Sequence, residues 1–215
     1  MIPLMHDFEG ETVLVVGGGP VGARKARTFA TEASVVVLSP EFADRSFADA
    51  EKVRAAPDPE DAEDWVERID PALVVAATDD SALNDAFTAA AKDHGALVNR
   101  ADDHGDQSFG SVVVPATVRD DPVTLAVATG GRAPALSKHL RERVEDEFDN
   151  AGLMAELVGD LREDLRDRGV PPAERRDAVR LVVRSREVWK ALDSGRYKGH
   201  QVARDVIGEL PGDQT

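Results

Sequence analysis

Val13-Leu14-Val15-Val16-Gly17-Gly18-Gly19-Pro20-Val21-Gly22-Ala23-Arg24-Lys25-Ala26 decides how this chain folds. The aliphatic and β-branched run Thr12–Val16 ends abruptly in three glycines, as a buried strand does when it meets a tight turn. Gly17-x-Gly19-x-x-Gly22 then has the spacing of a turn that admits a pyrophosphate. The first glycine bends the chain, the second lets phosphate approach the backbone, and the third lets helix pack close to strand. Between Gly22 and Ala33, residues Ala23, Ala26, Phe29 and Ala30 share one helical face. Ser34–Leu38 reads as a second strand, closed by Ser39-Pro40. Strand, glycine turn, helix and strand within about 30 residues form a dinucleotide-binding βαβ unit of the Rossmann kind.

The alternation continues downstream. Residues 43–67 are polar and broken by proline, and predict a short helix and a weak strand near Lys52–Ala56. Ala72–Ala77 reads as a buried strand running into Thr78-Asp79-Asp80. Ser81 then caps a helix over Ala82–His94, with Leu83, Phe87 and Ala90 or Ala91 on one face. Gly95 closes it, and Leu97-Val98-Asn99 begins another strand, as a parallel sheet requires. Beyond residue 110 the rhythm changes. Ser111–Val118 and Val123–Thr129 read as two strands of a hairpin turning at Arg119-Asp120-Asp121-Pro122. Gly130-Gly131-Arg132 leads into a helix with Pro134 in its first turn. Leu136, Leu140, Val144 and Phe148 recur every four residues along it, and Leu153, Leu157, Leu161 and Leu165 do so along the next. Further helical segments span 173–192 and 201–210, divided by Pro171-Pro172 and Gly195. The expected fold class is α/β: a Rossmann-type parallel sheet over 1–111, a small β segment with its helix over 112–148, and a helical C-terminal region over 149–215.

The composition narrows the chemistry. A net charge of −15 over 215 residues argues against nucleic acid and against anionic lipid, both of which need a basic face. Asp outnumbers Glu 25 to 16, and Arg outnumbers Lys 20 to 6, a balance that suits a salty cytoplasm where ions screen self-repulsion. With no cysteine there is no thiolate nucleophile and no Cys-ligated metal. No stretch is long and apolar enough to span a bilayer, and Met1–His6 does not lead into a signal-peptide core, so a cytoplasmic location is expected. No set of residues reads as a metal site.

Glycine turns serve many enzymes, and the usual partners of several classes are missing. The single tyrosine, Tyr197, is followed four residues on by Gln201, so a Tyr-x-x-x-Lys pair is absent. The position at the end of the second strand, where an acid usually holds the ribose, is Ser39, which leaves NAD against NADP open on local chemistry. Asn99-Arg100-Ala101-Asp102-Asp103-His104 falls where the sheet's carboxyl edge lies. Asp102 there could accept a proton beside a nicotinamide, or the cluster could be an ordinary solvated loop.

Four segments in order bring a resemblance. They are Val13–Ala26; Val75-Ala76-Ala77-Thr78-Asp79-Asp80 with Leu83-Asn84 close behind; Leu97-Val98-Asn99-Arg100-Ala101-Asp102; and Ala128-Thr129-Gly130-Gly131-Arg132-Ala133-Pro134-Ala135-Leu136. From about Asp7 to Phe148 the chain resembles the precorrin-2 dehydrogenase and sirohydrochlorin ferrochelatase family, the dehydrogenase/chelatase module of siroheme synthase. The resemblance implies oxidation of precorrin-2 to sirohydrochlorin with NAD⁺, and in many members insertion of Fe²⁺ as a substrate metal. It places the base of both steps on Asp102, with Asp103 its neighbour; His104 is not part of the family pattern. It also implies a homodimer joined through the hairpin at about Val112–Thr129. The cofactor residues expected are Gly17, Gly19, Pro20, Val21 and Gly22 in the turn, Ser39 and Pro40, and Thr78 and Asp79. A polycarboxylate macrocycle needs local positive charge, expected from Arg100 and Arg132 with the backbone of Gly130 and Gly131. Arg24, Arg119 and Lys138 are read as solvated surface. A dehydrogenase without chelation, and a non-catalytic NAD(H) sensor, are the competing readings.

Overall fold

β1 (Thr12–Val16), α1 (Pro20–Phe29), β2 (Ser34–Ser39), β3 (Glu51–Arg54), α2 (Ala62–Ile69), β4 (Leu73–Ala76), α3 (Ser81–His94) and β5 (Leu97–Arg100) alternate through the first of two compact units, Met1–Val114. The computed structural model describes residues 2–101 and 111–208. The five strands form one parallel sheet in the order β3-β2-β1-β4-β5. The reversal of winding beside β1 is the switch point at which open α/β sheets bind ligands.

β1 reads as an unbroken apolar run because both its faces are covered. Val13 and Val15 pack toward Ala23, Ala26 and Phe29 of α1. Leu14 and Val16 pack toward Val66 of α2 and Phe87 and Ala91 of α3. Val13, Leu14 and Val15 are fully buried, each contributing about 1.5–3 kcal/mol of apolar burial.

Several boundaries differ from the sequence reading, each for a local reason. α1 begins at Pro20 rather than Gly22, because a proline at the first helical position has no N–H to leave unsatisfied. It ends at Phe29, not Ala33. The cap of α3 is Asp80 rather than Ser81: its Oδ1 accepts from the amides of Ala82 (2.8 Å) and Leu83 (3.1 Å). Gly95 closes α3 with φ 87°. The expected strand 111–118 is two things. Ser111 bridges to Val98 at the edge of the sheet, and the Val112 amide donates to the Val98 carbonyl at 2.7 Å. Pro115, which has no amide to donate, follows, and a new strand starts at Ala116.

The second unit, Pro115–Thr215, contains the antiparallel pair β6 (Ala116–Asp120) and β7 (Val123–Val127), then α4 (Pro134–Glu147), α5 (Ala151–Asp167), α6 (Pro172–Arg184), α7 (Arg186–Leu192) and α8 (Arg196–Ile207). Leu157, Leu161 and Leu165 of α5 form its core with Val182, Val188, Leu192 and Ala203. The single helix expected over 173–192 is broken at Ser185. That residue is extended (φ −79°, ψ 114°), and its Oγ accepts from the Val188 amide to start α7. The last helix begins at Arg196, after Gly195 at φ 103°. Asp120 at the end of β6 accepts from the Gly152 amide at 2.8 Å, fastening the hairpin to the first turn of α5. The stripe on α4 does not enter this core: no residue of α4 is buried, and Leu136, Leu140 and Phe148 are 48%, 39% and 46% exposed.

Candidate dinucleotide site

The glycine turn joins the carboxyl end of β1 to the amino end of α1, and its glycines serve different purposes. Gly17 has φ 117°, and a Cβ there would stand 2.5 Å from the Ala77 carbonyl oxygen. Only glycine fits both constraints. Gly22 is pressed against the Gly17 carbonyl, which brings α1 close to β1. Gly19 is the opposite case. It has an ordinary φ of −73°, and a Cβ on it would meet no protein atom within 4 Å. The space above Gly19 is open, as the approach of a phosphate requires. α1 has no side-chain cap and no acid in its first turn. Its free amides and positive dipole end therefore keep their capacity for an anion. Val21 is partly exposed beside them.

Gly18 was not among the expected site residues. A Cβ there would strike the Glu41 carbonyl and the Ser39 side chain, and its own carbonyl accepts from the Ala43 amide at 2.8 Å. It holds the β2 loop against the turn. The Gly-Gly-Gly run carried that signal, but the x in the spacing rule hides it.

Ser39 ends β2, nearly buried, with its hydroxyl donating to the Glu41 carbonyl at 2.7 Å. The Pro40 carbonyl accepts from Arg54 Nη1 at 2.9 Å. Arg54 was also missed. Parallel pairing of β3 on β2 sets it opposite Ser39, although it lies far along the sequence. Thr78 follows β4: its hydroxyl donates to Asn84 Oδ1 at 2.7 Å, and Asn84 Nδ2 donates back to the Thr78 carbonyl at 3.0 Å. Asn84, 1% exposed, thus locks the β4–α3 turn from inside, leaving Asp79 exposed at its tip.

Arg100 ends β5 and its guanidinium pairs with Asp85 of α3. Beside it, Asn99 Nδ2 donates to the Val112 carbonyl at 2.8 Å, so the chain leaving β5 and the chain returning at 111–112 are pinned to the same strand end. Asp102, Asp103 and His104 lie outside the described residues. In the second unit, Gly130 (φ 61°) and Gly131 (φ 75°) turn the chain from β7 into α4, and Arg132 is exposed. Among the described residues no group of three His, Asp or Glu is placed to hold a metal ion. No described helix is long and apolar enough to cross a membrane.

The family "Putative NAD(P)-binding" matches residues 4–116. A precorrin-2 dehydrogenase of Methanosarcina barkeri is 31% identical over 96% of this chain and 93% of its own length. This chain belongs to the precorrin-2 dehydrogenase and siroheme synthase family. Siroheme synthases match in their turn: one from Aeromonas hydrophila is 32% identical over 99% of this chain, and one from Klebsiella pneumoniae 34% over 94%. The chain spans only 47% and 40% of those two proteins. Among solved structures, SirC, a precorrin-2 dehydrogenase, superposes with a TM-score of 0.64 over 94% of this chain and 98% of its own, at 21% identity. That likeness supports the fold: a parallel Rossmann-type sheet, a small antiparallel pair and a helical C-terminal region.

Proposed function

We propose that the protein oxidises precorrin-2 to sirohydrochlorin with NAD⁺. The observation that carries this reading is the two-sided match to the Methanosarcina precorrin-2 dehydrogenase, which leaves almost no part of either chain unmatched. The glycine turn fits the cofactor, since it is open above Gly19 and tight at Gly17 and Gly22. NAD⁺ supplies the hydride acceptor. The chain's own work is to hold the pyrophosphate at the first turn of α1 and to take a proton. Loss of a hydride from the macrocycle to NAD⁺ must be matched by loss of a proton, giving sirohydrochlorin, NADH and H⁺. Asp102 is the proposed base, and Arg132 with the Gly130-Gly131 backbone is proposed to meet the substrate's carboxylates. Arg100, already neutralised by Asp85, is better suited to orienting the end of β5 than to carrying a free charge to substrate. Insertion of Fe²⁺ as a second step is the further reading, favoured by the matches to siroheme synthases.

Purified protein incubated with precorrin-2 and NAD⁺ is expected to form sirohydrochlorin, followed by absorbance. No product at high salt overturns the dehydrogenase. Fe²⁺ added afterwards tests the second step, and insertion no faster than the spontaneous rate leaves the dehydrogenase alone. Asp102→Ala is expected to abolish oxidation while NAD⁺ still binds; full activity in that variant removes Asp102 from the mechanism.

A homodimer belongs to the same proposal. Among the described residues no further strand pairs with β6 or β7, neither holds a buried residue, and α4 keeps its apolar stripe exposed. A two-stranded hairpin is marginal alone, and a second copy of the chain would cover both features.

A further inference from the structure

A groove of about 630 Å³ runs between α5 and α6. Five arginines and one glutamate line it: Arg162, Glu163 and Arg166 from α5, and Arg175, Arg176 and Arg180 from α6. In a chain with 41 acidic and 26 basic residues, five arginines against one glutamate in one groove is out of character. Only two of the five are balanced. Arg166 pairs with Glu163 and Asp167, and Arg180 with Asp177. Arg162, Arg175 and Arg176 make no ion pair among the described residues, though carboxylates are abundant along both helices. Arg175 is the sharpest case, because its Nε is buried and has no hydrogen-bond partner. A buried guanidinium N–H without an acceptor is costly to folding.

Gly159 points the same way. It sits inside the 17-residue helix α5, where glycine is less stable than alanine by about 1 kcal/mol. Nothing in the packing calls for it, since a Cβ there would meet no atom within 4 Å. It lies on the groove wall one turn before Arg162, and its missing side chain keeps that wall low.

We propose that this groove is a binding site for a small multivalent oxyanion, whose carboxylate or phosphate oxygens take the free guanidinium forks of Arg162, Arg175 and Arg176. Planar guanidinium groups suit both chemistries, through paired N–H···O contacts. The site is built wholly from residues of the second unit and does not depend on the dehydrogenase reading.

Calorimetric titration of the full chain tests it, with tripolyphosphate as the phosphate probe and uroporphyrin, an octacarboxylate macrocycle, as the carboxylate probe. The wild type is expected to bind at least one of them saturably, and more weakly as chloride rises. The triple variant Arg162→Gln/Arg175→Gln/Arg176→Gln should bind at least about tenfold more weakly. Gly159→Leu keeps every charge and favours the helix, but fills the groove, and should weaken binding to a similar degree. ADP-ribose affinity, which reports the glycine turn, should stay unchanged in both variants and shows that they are folded. Binding that both variants weaken assigns the site to phosphates when tripolyphosphate alone shows it, to carboxylates when uroporphyrin alone does, and to oxyanions generally when both do; binding that neither variant alters belongs to the glycine turn or the substrate site. Binding of neither probe, or equal binding by wild type and both variants, overturns the proposal.

Discussion

Two glycines in one turn make separable predictions because the physical demands on them differ. Gly17 is held by a positive φ and by the Ala77 carbonyl, so Gly17→Ala should cost about 2–3 kcal/mol of stability and disturb the turn with it. Gly19 has ordinary dihedrals and open space. Gly19→Ala should therefore leave the melting temperature unchanged yet weaken NAD⁺ at least about tenfold, because the methyl occupies the phosphate's approach. Thermal melts paired with cofactor titrations distinguish the two, and a Gly19→Ala variant that binds NAD⁺ normally would mean the phosphate lies elsewhere. Lys25, one turn into α1, makes a pH prediction. Burial, with repulsion from Arg24 added, draws its ammonium down from the usual 10.5 to about 8. Between these values the unfolded chain keeps a proton that the folded chain has lost, so stability rises with pH across this window. Below pH 8 both states are charged and the penalty is fully present. The increment across the whole window is on the order of 3 kcal/mol. Urea unfolding near neutral pH and near pH 10 should show the rise in wild type and its loss in Lys25→Met, which should also be the more stable protein at neutral pH.

At the scale of elements, strands buried on both faces were legible because their residues are apolar without interruption, as in β1 and β4. Helix existence was legible too, through the stripes on α3 and α5. What failed were boundaries governed by single polar contacts. The capping role of Asp80 over Ser81, the break at Ser185 and the capture of Ser111–Val112 by β5 each turn on one or two hydrogen bonds that no periodicity records. In the site, the glycine spacing was readable, whereas Arg54 was not, since its place opposite Ser39 depends on how β3 pairs. The stripe on α4 was read correctly as apolar, but its periodicity could not say whether the covering surface belongs to the same chain. If a second copy covers it, Leu136→Asp/Leu140→Asp should shift the protein from dimer to monomer in light scattering coupled to gel filtration, while ADP-ribose still binds. A wild type that is monomeric throughout would refute the dimer.

For the molecule as a whole, the charge of −15 is the governing quantity. So many carboxylates repel one another in the compact state, and the repulsion is screened over about 10 Å at 0.1 M salt and about 3 Å at 1 M. The ion pairs on the described surface are mostly exposed and contribute little each. Raising potassium chloride from low to molar concentration should therefore raise the melting temperature by several degrees, about 2–4 °C for each 1 kcal/mol gained. A melting temperature that falls with salt would show that attraction, not repulsion, dominates. The pinning at the end of β5 has a consequence for how this family can vary. Asn99 and Val98 grip Val112, and the Ala101 amide donates to the Ala76 carbonyl, so the described chain on either side of 102–110 is fixed to the sheet. The two ends are thereby fixed posts: a relative's residues 102–110 grafted between them are expected to leave the sheet beneath unaltered, with the melting temperature of the chimera as the check.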